Sequence, residues 1–321
     1  MVVTAFTSAH ICEAGALARV EYEEERRRVP ALPPAGDGLD LTDFAANGLG
    51  AAAFEGNRMV GFLCGTPPFE QAFGTTEVRG VFSPMGAHAA AGENREKILA
   101  CLYAFAAEKW VRAGALSHGV CLYAHDEAAQ RQFFRYGFGL RCVDSLRPME
   151  PVECARCESY VFSELEPDEF ALAYPLETGL RRHFLESPCF MNREPVSCDA
   201  FCESCARAGD RLFAASFGGT LCAVLKISAS GENFLSENAK YRHITSAFCQ
   251  REHRGGRVMQ NLLNFAIERL KNEGYTRLGV DYESFNPAGS GFWTKYFAAY
   301  THGVVRRVDE RIRTAETYAA D

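Results

Sequence analysis

Apolar positions recur at roughly helical spacing between Val258 and Leu270: Val258, Leu262, Leu263, Phe265, Ala266, Ile267 and Leu270. The stretch just ahead, Ile244 to Cys249, is mostly apolar and reads as a strand. Between the two lies a short polar loop with Arg254, Gly255, Gly256 and Arg257. A strand that turns through glycines into a helix start presents several backbone N–H groups in one small arc, and the helix dipole adds partial positive charge there. Such a bend suits a pyrophosphate. Adjacent glycines admit a close backbone approach, and arginines supply fixed charge.

The same order of elements occurs twice. In the first stretch Val2 to Phe6 reads as a strand, and Ser8 can cap a helix running toward Glu25 and Arg28. Prolines and glycines mark Val29 to Gly38 as a loop, followed by a short helix around Leu41 to Ala46. Gly50–Phe54 and Met59–Cys64 are the arms of a hairpin turning at Glu55-Gly56-Asn57-Arg58. A strand at Val78–Ser83, a long helix at Gly92–Arg112, a strand at Gly119–Tyr123 and an aromatic-rich helix within His125–Phe138 complete it. The run MGAHAAAGENREK, from Met85 to Lys97, reads as a long loop in which Gly86, Gly92, Arg95 and the lone His88 are scattered.

Arg147 to Cys157 carries two prolines and separates the repeats. A boundary near 150 gives domains at 1–150 and 151–321. The second stretch has a strand at Ser159–Leu165 and a helix opened by Glu166-Pro167-Asp168. A helix at Asp199–Ala208 follows. Then comes a hairpin of Arg211–Phe217 and Leu221–Ile227 through Gly218-Gly219-Thr220. Tyr241–Cys249 leads into the glycine bend, and Arg277–Tyr282 is the next strand. A late helix at Asn286–Phe297 and a closing strand at Gly303–Val308 end it.

The Ile244–Leu270 stretch resembles the acyl-CoA-binding motif of the GCN5-related N-acetyltransferases (GNAT family). That motif is a strand, a short polar run, Arg-Gly-x-Gly-x-Gly/Ala, and a helix with paired leucines. Arg254-Gly255 and Leu262-Leu263 match; Cys249 stands for the family's valine, and Arg257 and Met259 stand where it has small residues. Phe133-Phe134-Arg135-Tyr136-Gly137-Phe138 resemble the family's late-helix motif. The resemblance implies a mixed α/β fold. Two tandem GNAT-like acyl-CoA N-acyltransferase domains are expected, each a mixed, mostly antiparallel sheet flanked by helices. It implies transfer of an acetyl group from acetyl-CoA to a primary amine of a small molecule or peptide. The first copy lacks the Arg-Gly-x-Gly run and is expected to be a scaffold with a degenerate acyl-CoA loop. Acetyl-CoA is expected in the second.

By the same resemblance Phe248, Cys249 and Gln250 would hydrogen-bond the pantetheine arm. Arg254, Gly255, Gly256, Arg257 and Val258 would wrap the pyrophosphate, and Asn286 would contact CoA. The family's acidic tyrosine falls on Trp293, which cannot donate as an acid. Tyr296, three residues on and just under one helical turn away, is the substitute candidate. Glu283 and Asp281, at a strand end, are candidate bases, with a water relay as the alternative. Trp293 and the irregular loop also motivate a second reading, a non-catalytic acyl-CoA-binding or ligand-sensing protein on the same fold.

Composition narrows the class. The 321 residues allow two domains, and 47% hydrophobic with 23% charged residues describe a globular chain with ample core. A net charge of −7 argues against a general nucleic-acid or anionic-membrane binder and is compatible with a cationic amine acceptor. No apolar run approaches the ~20 residues of a membrane span. The N-terminus has no basic region before an apolar core, so the thirteen cysteines read as reduced thiols in a cytoplasmic protein. Cys154-x-x-Cys157 and Cys202-x-x-Cys205, with Cys198 nearby, raise the alternative of zinc. The gap between the pairs is long, and Cys202 and Cys205 lie on an amphipathic helix, so no metal is expected. The sequence sets neither the acceptor nor the oligomeric state.

Overall fold

The computed structural model describes residues 1–314 apart from 37, 93, 232 and 234–237. Its contacts gather into two compact units, Met1–Asp144 with the chain from Ala299 onward, and Ser145–Ala298.

The first unit opens with β1 (Val2–Ala5), α1 (Ile11–Arg28), α2 (Thr42–Ala46), β2 (Ala51–Glu55) and β3 (Arg58–Leu63). It continues through β4 (Gly80–Ser83), β5 (His88–Ala90), α3 (Arg95–Arg112), β6 (Ser117–Tyr123) and α4 (Glu127–Arg135), and the division falls inside β7 (Gly139–Pro148). β1, β2, β3 and β5 form an antiparallel sheet. Successive side chains on a strand point to opposite faces. Ala51, Ala53 and Leu63 therefore join Leu99, Leu102 and Trp110 in one core, while Ala52, Phe62 and Ala89 join Phe6 and Ala14 in another. A bulge that leaves Val60 unpaired between Ala53↔Gly61 and Phe54↔Met59 turns Val60 to the first core as well. Trp110 is fully buried, and its indole N–H donates to the Leu49 carbonyl at 2.9 Å.

β7 is not among the expected elements, and two further features of this unit differ from the sequence reading. His88–Ala90 is a strand paired with β3, not part of a loop. The closing strand is β13 (Ala298–Arg307), which runs antiparallel to β6 from Thr301↔Tyr123 to Arg307↔Ser117. It thus completes the first unit rather than the second. An alternating apolar pattern marks a strand but does not say which edge it joins.

The second unit has β8 (Val161–Leu165), α5 (Tyr174–Leu185), α6 (Cys198–Ala208), β9 (Arg211–Phe217), β10 (Thr220–Ser228), β11 (Tyr241–Cys249), α7 (Val258–Asn272), β12 (Arg277–Glu283) and α8 (Pro287–Trp293). β8 to β11 are antiparallel neighbours, and β11 pairs parallel with β12. On one face lies α7, with Leu262, Leu263, Ala266, Ile267 and Leu270 buried. On the other, Leu176 of α5 and Phe201 and Cys205 of α6 close over Leu212, Ala214 and Val224. α8 is shorter than the late helix expected over Asn286–Phe297 and ends at Trp293. No helix among the described residues is long and apolar enough to cross a membrane.

Candidate active site

β11 and β12 pair only from Tyr241↔Arg277 to Ile244↔Val280. Beyond Ile244, β11 keeps its ladder with β10 as far as Ala223↔Cys249. A bulge marks the parting: Lys226 faces Ser246 while Ile227 faces Ile244, so Thr245 is the extra residue. Bulges bend the strand that carries them. The two strands therefore open into a cleft, and a cavity of about 530 Å³ lies there, reached by both Thr245–Cys249 and Val280–Glu283.

The loop after β11 passes through a 3-10 turn, Arg251–His253, and enters α7 at Val258. Gly255 has φ +79°, which glycine adopts freely. Arg257, the residue before the helix, has φ 63° and makes no side-chain cap. A non-glycine residue held there costs about 1–2 kcal/mol. Among the described residues no N-cap side chain thus covers the first amides of α7, at the positive end of the helix. Arg254 turns back: its Nε donates to the Cys249 carbonyl at 2.9 Å, and its guanidinium lies 5.5 Å from the Phe248 ring centre. The preceding chain braces the loop from outside, where the Cys157 thiol donates to the Gly256 carbonyl at 2.9 Å.

Of the residues expected to hold CoA, Phe248, Cys249, Arg254, Gly255, Arg257 and Val258 line the cavity, as does Asn286. Gln250 and Gly256 do not line it; the Gln250 amide instead donates to the Cys222 carbonyl at 2.9 Å. Asn286 is buried, and its Oδ1 accepts from the Gly289 amide at 3.2 Å and lies 3.0 Å from His183 Nε2. Glu283 and Asp281 both line the cavity, and so does the buried Trp293. Tyr296 does not. Its hydroxyl accepts a hydrogen bond from Gln260 at 3.2 Å, and its ring packs on Phe292 at 5.0 Å. The sequence reading did not include His183 or Arg193, which line the cavity from α5 and the chain after it. The only signal for His183 is its position on the helix opposite the parted strands, and Arg193, on the chain after that helix, has none.

The corresponding place in the first unit is filled by side chains. The Ala90 amide donates to Glu21 Oε1 at 2.5 Å. Arg95, the first residue of α3, pairs with Glu21 and with Asp126, each at 2.7 Å. Burial pushes the Glu21 carboxyl up to about 8 despite the arginine. His88 is buried with its Nδ1 3.2 Å from Ser83 Oγ, and burial pushes it down to about 4.

All the cysteines are free thiols. Asn264 Nδ2 donates to Cys154 Sγ at 3.4 Å and Asn261 Nδ2 to Cys157 Sγ at 3.3 Å. Among the described residues no group of three or more His, Cys, Asp or Glu side chains is placed to hold a metal ion.

Residues 180–298 match the family model described as the acetyltransferase (GNAT) family. The chain is similar in structure to a GCN5-related N-acetyltransferase from Sphaerobacter thermophilus, with a TM-score of 0.59 and 12% identity over 95% of each chain. It is also similar to the GCN5-related glucosamine N-acetyltransferase region of a fungal multi-domain GH3 beta-N-acetylglucosaminidase, with a TM-score of 0.53 and 12% identity. That match covers 95% of this chain and 38% of the fungal one. No curated protein matches in sequence. The structural likenesses show the fold, a mixed α/β architecture of GNAT type across nearly the whole chain.

Proposed function

We propose that the second unit binds acetyl-CoA and transfers its acetyl group to a primary amine of a small molecule or peptide, with no metal. One observation carries the reading: β11 and β12 part beyond Ile244 and Val280, and the opened strand leads straight into an uncapped helix start. Past Ile244, β11 has β10 on one edge and, among the described residues, no ladder partner on the other. Its outward amides can hold the pantetheine arm and polarise the thioester carbonyl. The amides of the first turn of α7, with Arg254 and Arg257, suit the pyrophosphate. Nothing lies within 4 Å of a Cβ built on Gly255, so a phosphate can approach that backbone.

The first unit serves as scaffold in this reading. Its Ala90 amide, at the end of β5, is taken by the Glu21 carboxyl, and the Arg95 guanidinium is held by both the Glu21 and Asp126 carboxyl groups. Calorimetric titration of acetyl-CoA into wild type and Arg254→Glu tests binding, with strong loss expected in the variant. A screen of primary amines for free-CoA release then tests transfer. Tight binding without CoA release on any amine would leave a ligand-binding protein instead.

A further inference from the structure

A primary alkylamine is an ammonium ion at neutral pH and must lose a proton before it can attack a thioester. β12 carries acids toward the cleft. Along it Leu278, Val280 and Tyr282 are buried on one face, and Gly279, Asp281 and Glu283 alternate on the other. Asp281 is the first residue beyond the last β11–β12 pair, lines the cavity, and has a side chain 30% exposed.

Behind it stands a buried hydrogen-bonded chain. Asp281 Oδ1 lies 2.7 Å from Nε2 of His243, whose side chain is 1% exposed. His243 Nδ1 lies 2.5 Å from the hydroxyl of Tyr241, also buried. A carboxylate only accepts, so Nε2 carries the hydrogen and donates it to Asp281. In the neutral ring Nδ1 then accepts, and the tyrosine hydroxyl donates to it. The residue across the ladder from His243 is Gly279, and a Cβ built there would meet Tyr241 Oη at 1.8 Å and His243 Nδ1 at 2.8 Å. Only glycine leaves room for the chain. Its effect is to fix Asp281 Oδ1 against the strand pair, so the other carboxylate oxygen is the one left to meet a ligand.

We infer that the acceptor is an alkylammonium whose proton is taken by Asp281, with His243 and Tyr241 as positioning residues that hold that carboxylate; this rests on the transferase reading above. An N–H bond of the ammonium breaks as an O–H bond forms on Asp281. The freed lone pair attacks the thioester carbon, and the C–N bond forms as the C–S bond breaks. The nitrogen's surplus proton goes to the departing thiolate, and Asp281 later returns its proton to water. Glu283, His183 and Arg193 line the same cavity and share the acceptor's surroundings.

The test compares two kinds of nucleophile on the full chain, reading CoA release from acetyl-CoA. Primary alkylamines need a base. Hydroxylamine, uncharged at neutral pH, does not. Asp281→Asn is expected to lower kcat/KM for the best alkylamine by at least about 100-fold at neutral pH. That loss shrinks as pH rises and solution supplies the free amine, while the hydroxylamine rate stays within about threefold of wild type. His243→Leu follows Asp281→Asn on alkylamines. His243→Gln, whose side-chain amide can still donate to Asp281, recovers most of the rate. Equal losses on both nucleophiles, or wild-type alkylamine rates in Asp281→Asn, would overturn the inference. Wild-type protein that releases CoA with neither nucleophile would overturn the transferase reading itself, and this inference with it.

Discussion

Arg254 Nε donates to the carbonyl oxygen of Cys249 at 2.9 Å, tying the loop to the end of the strand it leaves. The side chain is otherwise exposed, with its guanidinium over the Phe248 ring. Removing it therefore changes the cleft more than the fold. Arg254→Ala is expected to weaken acetyl-CoA binding about 10- to 100-fold, the worth of one charge-assisted hydrogen bond, with a melting temperature near wild type. Arg254→Lys should recover only part, because an ammonium cannot copy the planar fork. Calorimetric affinities unchanged in the alanine variant would remove Arg254 from the cofactor site.

The loop residues at positive φ predict substitutions of opposite sign. Gly255→Ala forces a side chain into φ +79° and should cost about 1–2 kcal/mol in a denaturant titration. Gly256→Ala should be within about 0.5 kcal/mol of wild type, since the nearest atoms to its Cβ are 3.6 and 3.9 Å away. Arg257→Gly should stabilise the fold by relieving φ 63° yet weaken acetyl-CoA binding by removing a charge at the start of α7. A Gly256→Ala variant as unstable as Gly255→Ala would mean the loop has another conformation.

The elements that were legible in the sequence are those with a local signature. The α7 face, the Gly218-Gly219 hairpin and the glycine bend before Val258 all depend on residues within a few positions of one another. His88–Ala90 escaped because three small or polar residues between glycines carry no period. Gly139–Pro148 is assigned no element, and its last two residues, Arg147 and Pro148, fall in the stretch that reads as the separator. The partner of β13 is set by contacts far apart in sequence, which no window of residues contains. The same holds at the cleft. Arg254 and Gly255 announce themselves, whereas the His243–Asp281 contact joins residues 38 apart, and its histidine sits in a strand where a polar side chain ordinarily faces solvent.

Tyr296 offers a test of how thiolate protonation works. Its hydroxyl is held by Gln260 and does not line the cavity, where Trp293 does. Tyr296→Phe is therefore expected to keep kcat within about threefold, where loss of a general acid costs about 100-fold or more. A drop of that larger size would show that the hydroxyl reaches the thiolate when substrates bind.

The Glu21 carboxyl makes the stability of the first unit depend on pH. Burial raises it from an ordinary 4.5 to about 8, so the native state holds a proton that the unfolded chain releases near 4.5. Stability from this group is full below about 4.5 and is lost as pH rises toward 8, at up to about 1.4 kcal/mol per pH unit. His88 and His118 act in the opposite sense. Burial lowers each from 6.5 to about 4, so stability is full above 6.5 and is lost as pH falls toward 4. Glutamine at position 21 keeps an acceptor for the Ala90 amide and has no proton to release. Thermal unfolding of the full chain should show Glu21→Gln gaining on wild type steadily between pH 5 and pH 8.5, by a few kcal/mol in the transition that belongs to this unit. Parallel pH profiles for the two proteins would mean that Glu21 is ionised in the native state, with its pair to Arg95 outweighing burial.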